Sequence, residues 1–427
     1  MTSTGSSSSA ASSDAPAAEA ALVVGLLSYH DADTVGAVAT AVRDGLAGGY
    51  AGVSSRIVMA DDGSPDGALD RVREAIGPDS LLVVTIPRAG LERLELPYHG
   101  IPGKARALHA ILSASRDLGA GACVVVDGSL RSMSPAWIDG LARPVTDHGV
   151  DLVAPFYQRH AYEGALIKGI VYPVFRALYG VPLRQPAAAE FACSARLRDR
   201  LLAEDIWERE GAGTGIDLWL MAAAASGDFR IGEAALGVRV HQTRGEDALD
   251  LAATMTQVVG SLFADLEGRV DRWQRTRGSR PVQRFGAPPP LGPPATPDVD
   301  PDRLVESFRL GYRELRDVWT WVLPTRTIID MRRLVDGPPA RFRLDDEVWA
   351  RIVYDFSVGY RVRALARDHL LKSLVPLYLG WLASFILQVR DLDADAVEER
   401  VDALGRAFET QKSYLISRWR WPERLRS

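Results

Sequence analysis

The chain has 427 residues, 47% of them hydrophobic, and a formal net charge of −5 at pH 7. That length favours two domains and the apolar share suffices for a real core, while the slight acidity gives no general attraction to nucleic acid or to an anionic membrane. Two cysteines, Cys123 and Cys193, make neither a disulfide framework nor a metal-ligand cluster, and their apolar contexts suit buried thiols of a reducing cytoplasm.

Residues 1–20 are mostly Ser, Ala and small polar types. They lack the basic residues and apolar core of a signal peptide and read as a disordered tail. Residues 21–275 then alternate strand and helix patterns. Ala21 to Leu27 is the first strand, Ser28 to Asp33 a loop, and Thr34 to Leu46 a helix. Ser55 to Ala60 is the second strand; the turn Asp61 to Asp66 can cap the next helix, which runs to Ile76. Leu81 to Ile86 is the third strand, and a loop with Pro97, Gly100, Pro102 and Gly103 leads into the helix Lys104 to Leu118. The fourth strand is the β-branched run from Cys123, which ends in Asp127-Gly128-Ser129. This alternation predicts a doubly wound, mainly parallel α/β sheet, and right-handed crossovers set all four strand-end loops on one edge.

Further on, Asp151 to Phe156 looks like a strand, Tyr162 to Tyr179 has helical spacing, and Gln185 to Phe191 is irregular. Gly215 to Ala225 is helical, Phe229 to Val240 ends in His241, and a long helix spans Asp247 to Leu266. Residues 276–301 read as a linker, because Pro281 to Pro301 carries eight prolines and excludes regular structure. Residues 302–427 are helical throughout and predict a C-terminal all-α domain. Within it, Ser373 to Val389 is strongly apolar, contains Pro376 and Gly380, and is bounded by Lys372 and Arg390. It lies at the short limit for a membrane span; a buried or dimer-forming helix is the preferred reading and membrane association the alternative.

Four strand-end loops bring Ser28 and Asp31, Asp62, Lys104, and Asp127 with Gly128 and Ser129 to one edge. An acid at the carboxyl end of a buried parallel strand sits where open α/β sheets bind ligands, and Gly128 permits a close approach to the backbone. Lys104 begins a helix, where a cation opposes the helix dipole unless it faces an anion. That points to a phosphate-bearing ligand; the plainer reading is a solvated surface lysine. No G-x-G-x-x-G follows the first strand, and neither a P-loop nor a G-x-S-x-G elbow occurs, which sets aside dinucleotide, P-loop and α/β-hydrolase chemistry.

The succession of Ser28-Tyr29, Asp61-Asp62-Gly63-Ser64-Pro65-Asp66, Gly103-Lys104 with Ala107-Leu108, and Val125-Val126-Asp127 with Leu130 resembles a nucleotide-sugar glycosyltransferase of the GT-A type. Tyr172-Pro173, Arg184-Gln185-Pro186, Glu190-Phe191, Asp217-Leu218-Trp219, Val238-Arg239-Val240-His241 and, in the tail, Tyr354-Asp355-Phe356 resemble the subgroup of glucosylglycerate synthases, related to glucosyl-3-phosphoglycerate and mannosylglycerate synthases. The resemblance implies that Ser28, Tyr29 and Asp31 line the base pocket, Asp62 holds base or ribose, Lys104 meets the diphosphate, and Asp127, with Gly128 and Ser129, contacts the nucleotide. It implies that Tyr172, Arg184, Gln185, Glu190 and Asp217 shape the sugar and acceptor sites, with Asp217, Lys104 and Glu190 as the catalytic group, and that His241 with Asp127 ligates a divalent metal, Mg²⁺ or Mn²⁺. Each also has a plainer reading: His241 a satisfied core histidine, Asp217 a charge near a helix start, Glu190 a tie for a loop.

Three departures stand out. Ser129 replaces the acid that is the family's main metal ligand, and a neutral hydroxyl is a weak ligand for these ions, so metal use is in doubt. Ala187-Ala188-Ala189 stands where relatives tend to have glycines. Gly103-Lys104-Ala105 lacks a second glycine common there. The activity implied is retaining transfer from a UDP- or GDP-sugar to a small polar, glycerate-like acceptor; the cysteines suit a cytoplasmic protein, and the apolar helical tail suggests a homodimer. Two alternatives stay open: an S-glycosyltransferase of antibiotic biosynthesis, with a GDP-octose donor and a thiol acceptor such as ergothioneine, and an inactive sugar-nucleotide binder.

Overall fold

The computed structural model of the chain describes residues 20–61, 65–86, 103–208, 212–240, 251–287 and 299–422. In chain order the elements are β1 (Leu22–Leu27), α1 (Ala32–Gly49), β2 (Ser55–Asp61), α2 (Ala68–Ile76), β3 (Leu81–Thr85), α3 (Lys104–Asp117), β4 (Ala122–Asp127), α4 (Pro135–Thr146), β5 (Leu152–Gln158), α5 (Tyr172–Tyr179), β6 (Phe191–Ser194), α6 (Ala195–Leu202), α7 (Ala212–Ser226) and β7 (Ile231–Val238). They continue with α8 (Leu251–Gly268), α9 (Val270–Arg275), β8 (Gln283–Phe285), α10 (Pro301–Trp319), α11 (Thr325–Asp336), α12 (Asp346–Arg361), α13 (Arg367–Val389), α14 (Ala394–Thr410) and α15 (Lys412–Arg420).

β1 and β4 lie at the centre of the sheet and are buried along their whole length. Their side chains alternate between two faces, as the period of a strand requires. Val23, Leu27, Cys123 and Val125 enter one core; Leu22, Val24, Leu26, Val124 and Val126 enter the other. α1, α2 and α4 cover the second face through Val35, Val38, Val72 and Ile138. The first face is covered by α3, α5, α7 and α8, and the same core continues into α10 to α15. The strand order is β3-β2-β1-β4-β6-β5-β7-β8. Pairing is parallel except at β6, which runs antiparallel to both β4 and β5. The doubly wound, mainly parallel sheet followed by an all-α region is thus the observed architecture.

β6 corrects the sequence reading in a way that matters for the site. Its four residues, Phe-Ala-Cys-Ser, are too few to display a strand period, and the stretch before Phe191 reads as irregular. Because β6 is reversed, its amino end meets the carboxyl ends of its neighbours: Phe191 lies opposite Val125 and Ser194 opposite Ala122. Glu190 therefore reaches the same edge as Asp127. Cys123 and Cys193 face each other across this antiparallel pair, and both are free, buried thiols.

Two further corrections concern the second half. Gln283–Phe285 pairs with β7 as β8, so regular structure enters the proline-rich stretch that reads as a linker; the three residues precede the run of prolines and keep their own N–H groups for the ladder. Nor do the two halves have separate cores. α13 is largely buried: Trp381 is parallel-stacked on Trp349, Tyr378 and Phe385, and a side chain at Gly169 would lie 2.3 Å from the Trp381 ring. Trp349 Nε1 donates to the Gly169 carbonyl at 2.8 Å, and Lys412 Nζ donates to the Ala177 and Thr276 carbonyls at 2.9 Å each. The apolar segment long enough to cross a membrane is thus mostly covered by the chain itself, 67% of its most apolar window being buried.

Candidate functional site

The described loops at the carboxyl edge of the sheet converge on a buried group of charges. Asp127 ends β4, in register with Leu27 at the end of β1. Its Oδ1 accepts from the backbone N–H of Ser129 at 2.9 Å and from the Ser129 hydroxyl at 2.8 Å. This local turn holds the carboxylate in place and commits the Ser129 hydroxyl hydrogen to it. Gly128 is required here, but not for the reason the sequence suggests. A Cβ on it would lie 2.6 Å from Asp31 Oδ2 and 3.0 Å from the Leu27 carbonyl, so the close approach it permits is that of Asp31. Asp31 caps α1 and is buried; the Ser28 hydroxyl donates to it, and the Thr34 hydroxyl, one turn into α1, ties the Gly128 carbonyl at 2.8 Å. Tyr29 packs edge-on against His30, ring centroids 4.4 Å apart, with His30 at a left-handed φ of 50°. Ser28, Tyr29, Asp31, Asp127, Gly128 and Ser129 therefore form one contiguous corner.

Lys104 is not a surface lysine. It is 1% exposed, and Gly103 turns the chain into α3 with a φ of 71°. The helix start does place it against an anion: Nζ lies 2.5 Å from Asp217 Oδ2 of α7. The second Asp217 oxygen makes no hydrogen bond with the described residues. Burial raises the Asp217 carboxyl above its ordinary range, and Lys104 offsets this only in part, with Glu190 and Asp127 adding like charge.

Glu190 is fully buried. Oε2 accepts from the Tyr157 hydroxyl at 2.6 Å and Oε1 from Arg239 Nη2 at 2.9 Å. Burial alone would raise its carboxyl; Arg239 and Tyr157 more than offset that and hold it below the ordinary range. Burial, and then the charge of Glu190, push the Tyr157 phenol well up. The same Arg239 nitrogen lies 3.7 Å from Asp127 Oδ2, so one guanidinium bridges two carboxylates. Arg239 and Tyr157 are the members that reading the sequence misses. Each directly follows, or ends, an apolar strand, and a buried arginine in that position must find an acid; attention to the neighbouring His241 hides it.

The remaining expected residues fall into two groups. Asp62 and His241 lie outside the described residues, although Val240 is fixed beside the Asp127 turn by its N–H to Ser132 Oγ, 2.9 Å, and its carbonyl from Arg131 N–H, 2.8 Å. Tyr172 and Arg184, expected around the sugar and acceptor, contact α14. The Tyr172 hydroxyl donates to Asp402 at 2.7 Å; Arg184 lies over the Tyr172 ring and pairs with Glu398 and Asp402, 2.9 Å each. Gln185 contributes its carbonyl to the turn at Ala188, and Ala187 to Ala189 are buried. A cavity of about 520 Å³ beside α3 is lined by Ile86, Arg106, His109 and Trp207 among others; Lys104, Asp127, Glu190, Asp217 and Arg239 are not in its wall.

His241, the expected metal ligand, lies outside the described residues. No group of three His, Cys, Asp or Glu side chains among the described residues is placed to hold a metal ion. The Asp127 carboxylate is already engaged by Ser129 on one oxygen and faces Arg239 with the other.

No family model matches the chain, and no curated protein does. Solved structures do. Mannosyl-3-phosphoglycerate synthase from Rubrobacter xylanophilus is 22% identical, over 64% of this chain and 79% of that one, with a TM-score of 0.43. Glucosyl-3-phosphoglycerate synthase from Mycobacterium tuberculosis, in complex with Mn²⁺, UDP-glucose and phosphoglyceric acid, is 24% identical over 63% and 90%, with a TM-score of 0.39. A mannosyltransferase from Pyrobaculum calidifontis, in complex with GDP-Man and Mn²⁺, is 15% identical over 95% and 89%, with a TM-score of 0.35. These nucleotide-sugar glycosyltransferases are what the chain is similar to, and they include the group its motifs resemble.

Proposed function

We propose that the chain is a cytoplasmic, retaining glycosyltransferase that moves a sugar from a UDP- or GDP-sugar to a small polar, glycerate-like acceptor. The observation that carries this reading is the buried Lys104–Asp217 pair at the start of α3, set beside the Asp127–Arg239–Glu190 group on the ligand-binding edge of the sheet. Lys104 and the first N–H groups of α3 offer a site for a diphosphate. The corner of Ser28, Asp31 and Asp127 suits the hydroxyls and ring N–H groups of a nucleoside. Asp217, with one oxygen unengaged by the described residues, suits a hydroxyl of the sugar or acceptor.

Catalysis on this reading comes from positioning and from fixed positive charge at the leaving diphosphate. The carboxylates around it are committed to cations and do not offer a strong base. That suits transfer in which a phosphate oxygen of the leaving group takes the acceptor's proton and the acceptor attacks from the same face. Arg239 and Lys104 are the cations among the described residues of the site, and the reading includes transfer that persists in EDTA, because a neutral Ser129 is a weak ligand for Mg²⁺ or Mn²⁺.

The test is incubation of the chain with UDP- and GDP-sugars and glycerate, with and without Mn²⁺, followed by NMR of the product's anomeric configuration. Retained configuration is expected. Inverted product overturns the mechanism. Binding without transfer to glycerate or to a thiol such as ergothioneine favours an inactive binder, and transfer to the thiol alone favours an S-glycosyltransferase.

A further inference from the structure

A lysine in the first turn of a helix is repelled by the exposed N–H groups there. Lys104 is nevertheless 1% exposed and held on α7 by Asp217, whose side chain is 13% exposed. The ammonium that should receive a diphosphate therefore already has an internal anion. That anion is itself half-satisfied: Oδ1 is buried and accepts no hydrogen bond from the described residues, although a carboxylate oxygen in such surroundings normally finds a donor.

We propose that Asp217 is an internal competitor for Lys104, displaced from it by the donor diphosphate and thereby made available to the acceptor. This rests on the glycosyltransferase reading of the site. A diphosphate at the start of α3 carries more charge than one carboxylate and also receives the backbone N–H groups of the helix. When Lys104 turns to it, Asp217 keeps its buried position and loses its cation. A buried carboxylate without a cation is strongly unfavourable, and an acceptor hydroxyl is the kind of donor that relieves it. The carboxylate is offered to the acceptor only after the donor has arrived. Until then, the share of molecules in which Lys104 stays on Asp217 lowers the apparent affinity for the donor.

Isothermal calorimetry on the full chain tests this, with UDP, GDP and inorganic pyrophosphate titrated separately. Asp217→Asn keeps the shape and weakens the competitor, and it should bind the responding diphosphate about tenfold tighter than the wild type. Lys104→Met should bind more weakly. The double variant removes the risk that a stranded Asp217 unfolds the single Lys104 variant, and it should match Lys104→Met within about twofold. Asp217→Asn binding no tighter than wild type overturns the inference. So does a double variant tighter than Lys104→Met by the same factor, which would mean a general loss of negative charge. In either case the donor reading stands. If no probe binds the wild type or any variant, the donor reading falls and the inference with it.

Discussion

Arg239 holds Glu190 and approaches Asp127 from a position where it is almost completely buried. Removing one partner of such a pair leaves the other charged and desolvated, whereas removing both leaves a neutral core. Arg239→Met should therefore cost about 3–5 kcal/mol in urea unfolding, and Glu190→Gln with Arg239→Met should recover part of it, since glutamine still accepts from the Tyr157 hydroxyl while Asp127 stays without the guanidinium. A double variant as unstable as the single one would show that packing, not charge, is at stake. Much of this corner is legible in the sequence, because Ser28 and Asp31 follow a recognisable strand, Asp127 ends one and Lys104 begins a recognisable helix. Arg239 and Tyr157 are not, since a strand-ending arginine or tyrosine looks the same whether it meets solvent or a carboxylate brought in by a distant strand. Tyr172 and Arg184 show the converse: their partners lie on α14, more than two hundred residues away, and no local pattern announces them.

Elements with a long period are visible in the chain, and short ones are not. β1 to β4 and α3 lie within a few residues of where apolar periodicity puts them. β6 and β8 have four and three residues, and they depend on neighbours rather than on their own pattern. Helix contacts allow two tests. A side chain at Gly169 would meet the Trp381 ring of α13 at 2.3 Å, so Gly169→Ala should lower stability by about 1–3 kcal/mol, read from chemical denaturation. Between α12 and α15, Asp355 is buried and paired with Arg418 at 2.8 Å. Burial outweighs Arg418 and the Tyr414 hydroxyl and raises its carboxyl from 3.8 to about 6. The folded chain then binds more protons than the unfolded chain between those values, so this group's contribution to stability declines as pH rises from about 4 to about 6. Asp355→Asn should flatten the stability–pH curve across that window by about 3 kcal/mol. An unchanged slope would count against the burial assigned to Asp355.

At the scale of the molecule, one apolar core runs from the sheet into the C-terminal helices, where the sequence suggests two domains and a linker. The apolar run 373–389, for which a buried or dimer-forming helix is the preferred reading, lies mostly inside the chain. Among the exposed large apolar residues that remain, Leu310 lies in α10, Trp321 in the turn after it and Trp421 just past α15. The sheet itself contains a probe of the site above it. Cys123 and Cys193, facing each other across β4 and β6 and packed into the core of the first face, are out of reach of a thiol reagent unless that core opens. Their labelling rate is thus a clock for the opening of the site's floor and the helices packed under it. A ligand bound only by the closed form must slow that clock by a factor of one plus the ratio of free ligand concentration to Kd, about a hundredfold at a concentration one hundred times its Kd. Timed labelling with Ellman's reagent, scanned across candidate sugar nucleotides, would rank donors without any assay of transfer; labelling as fast as that of an unfolded chain would show that the floor is open.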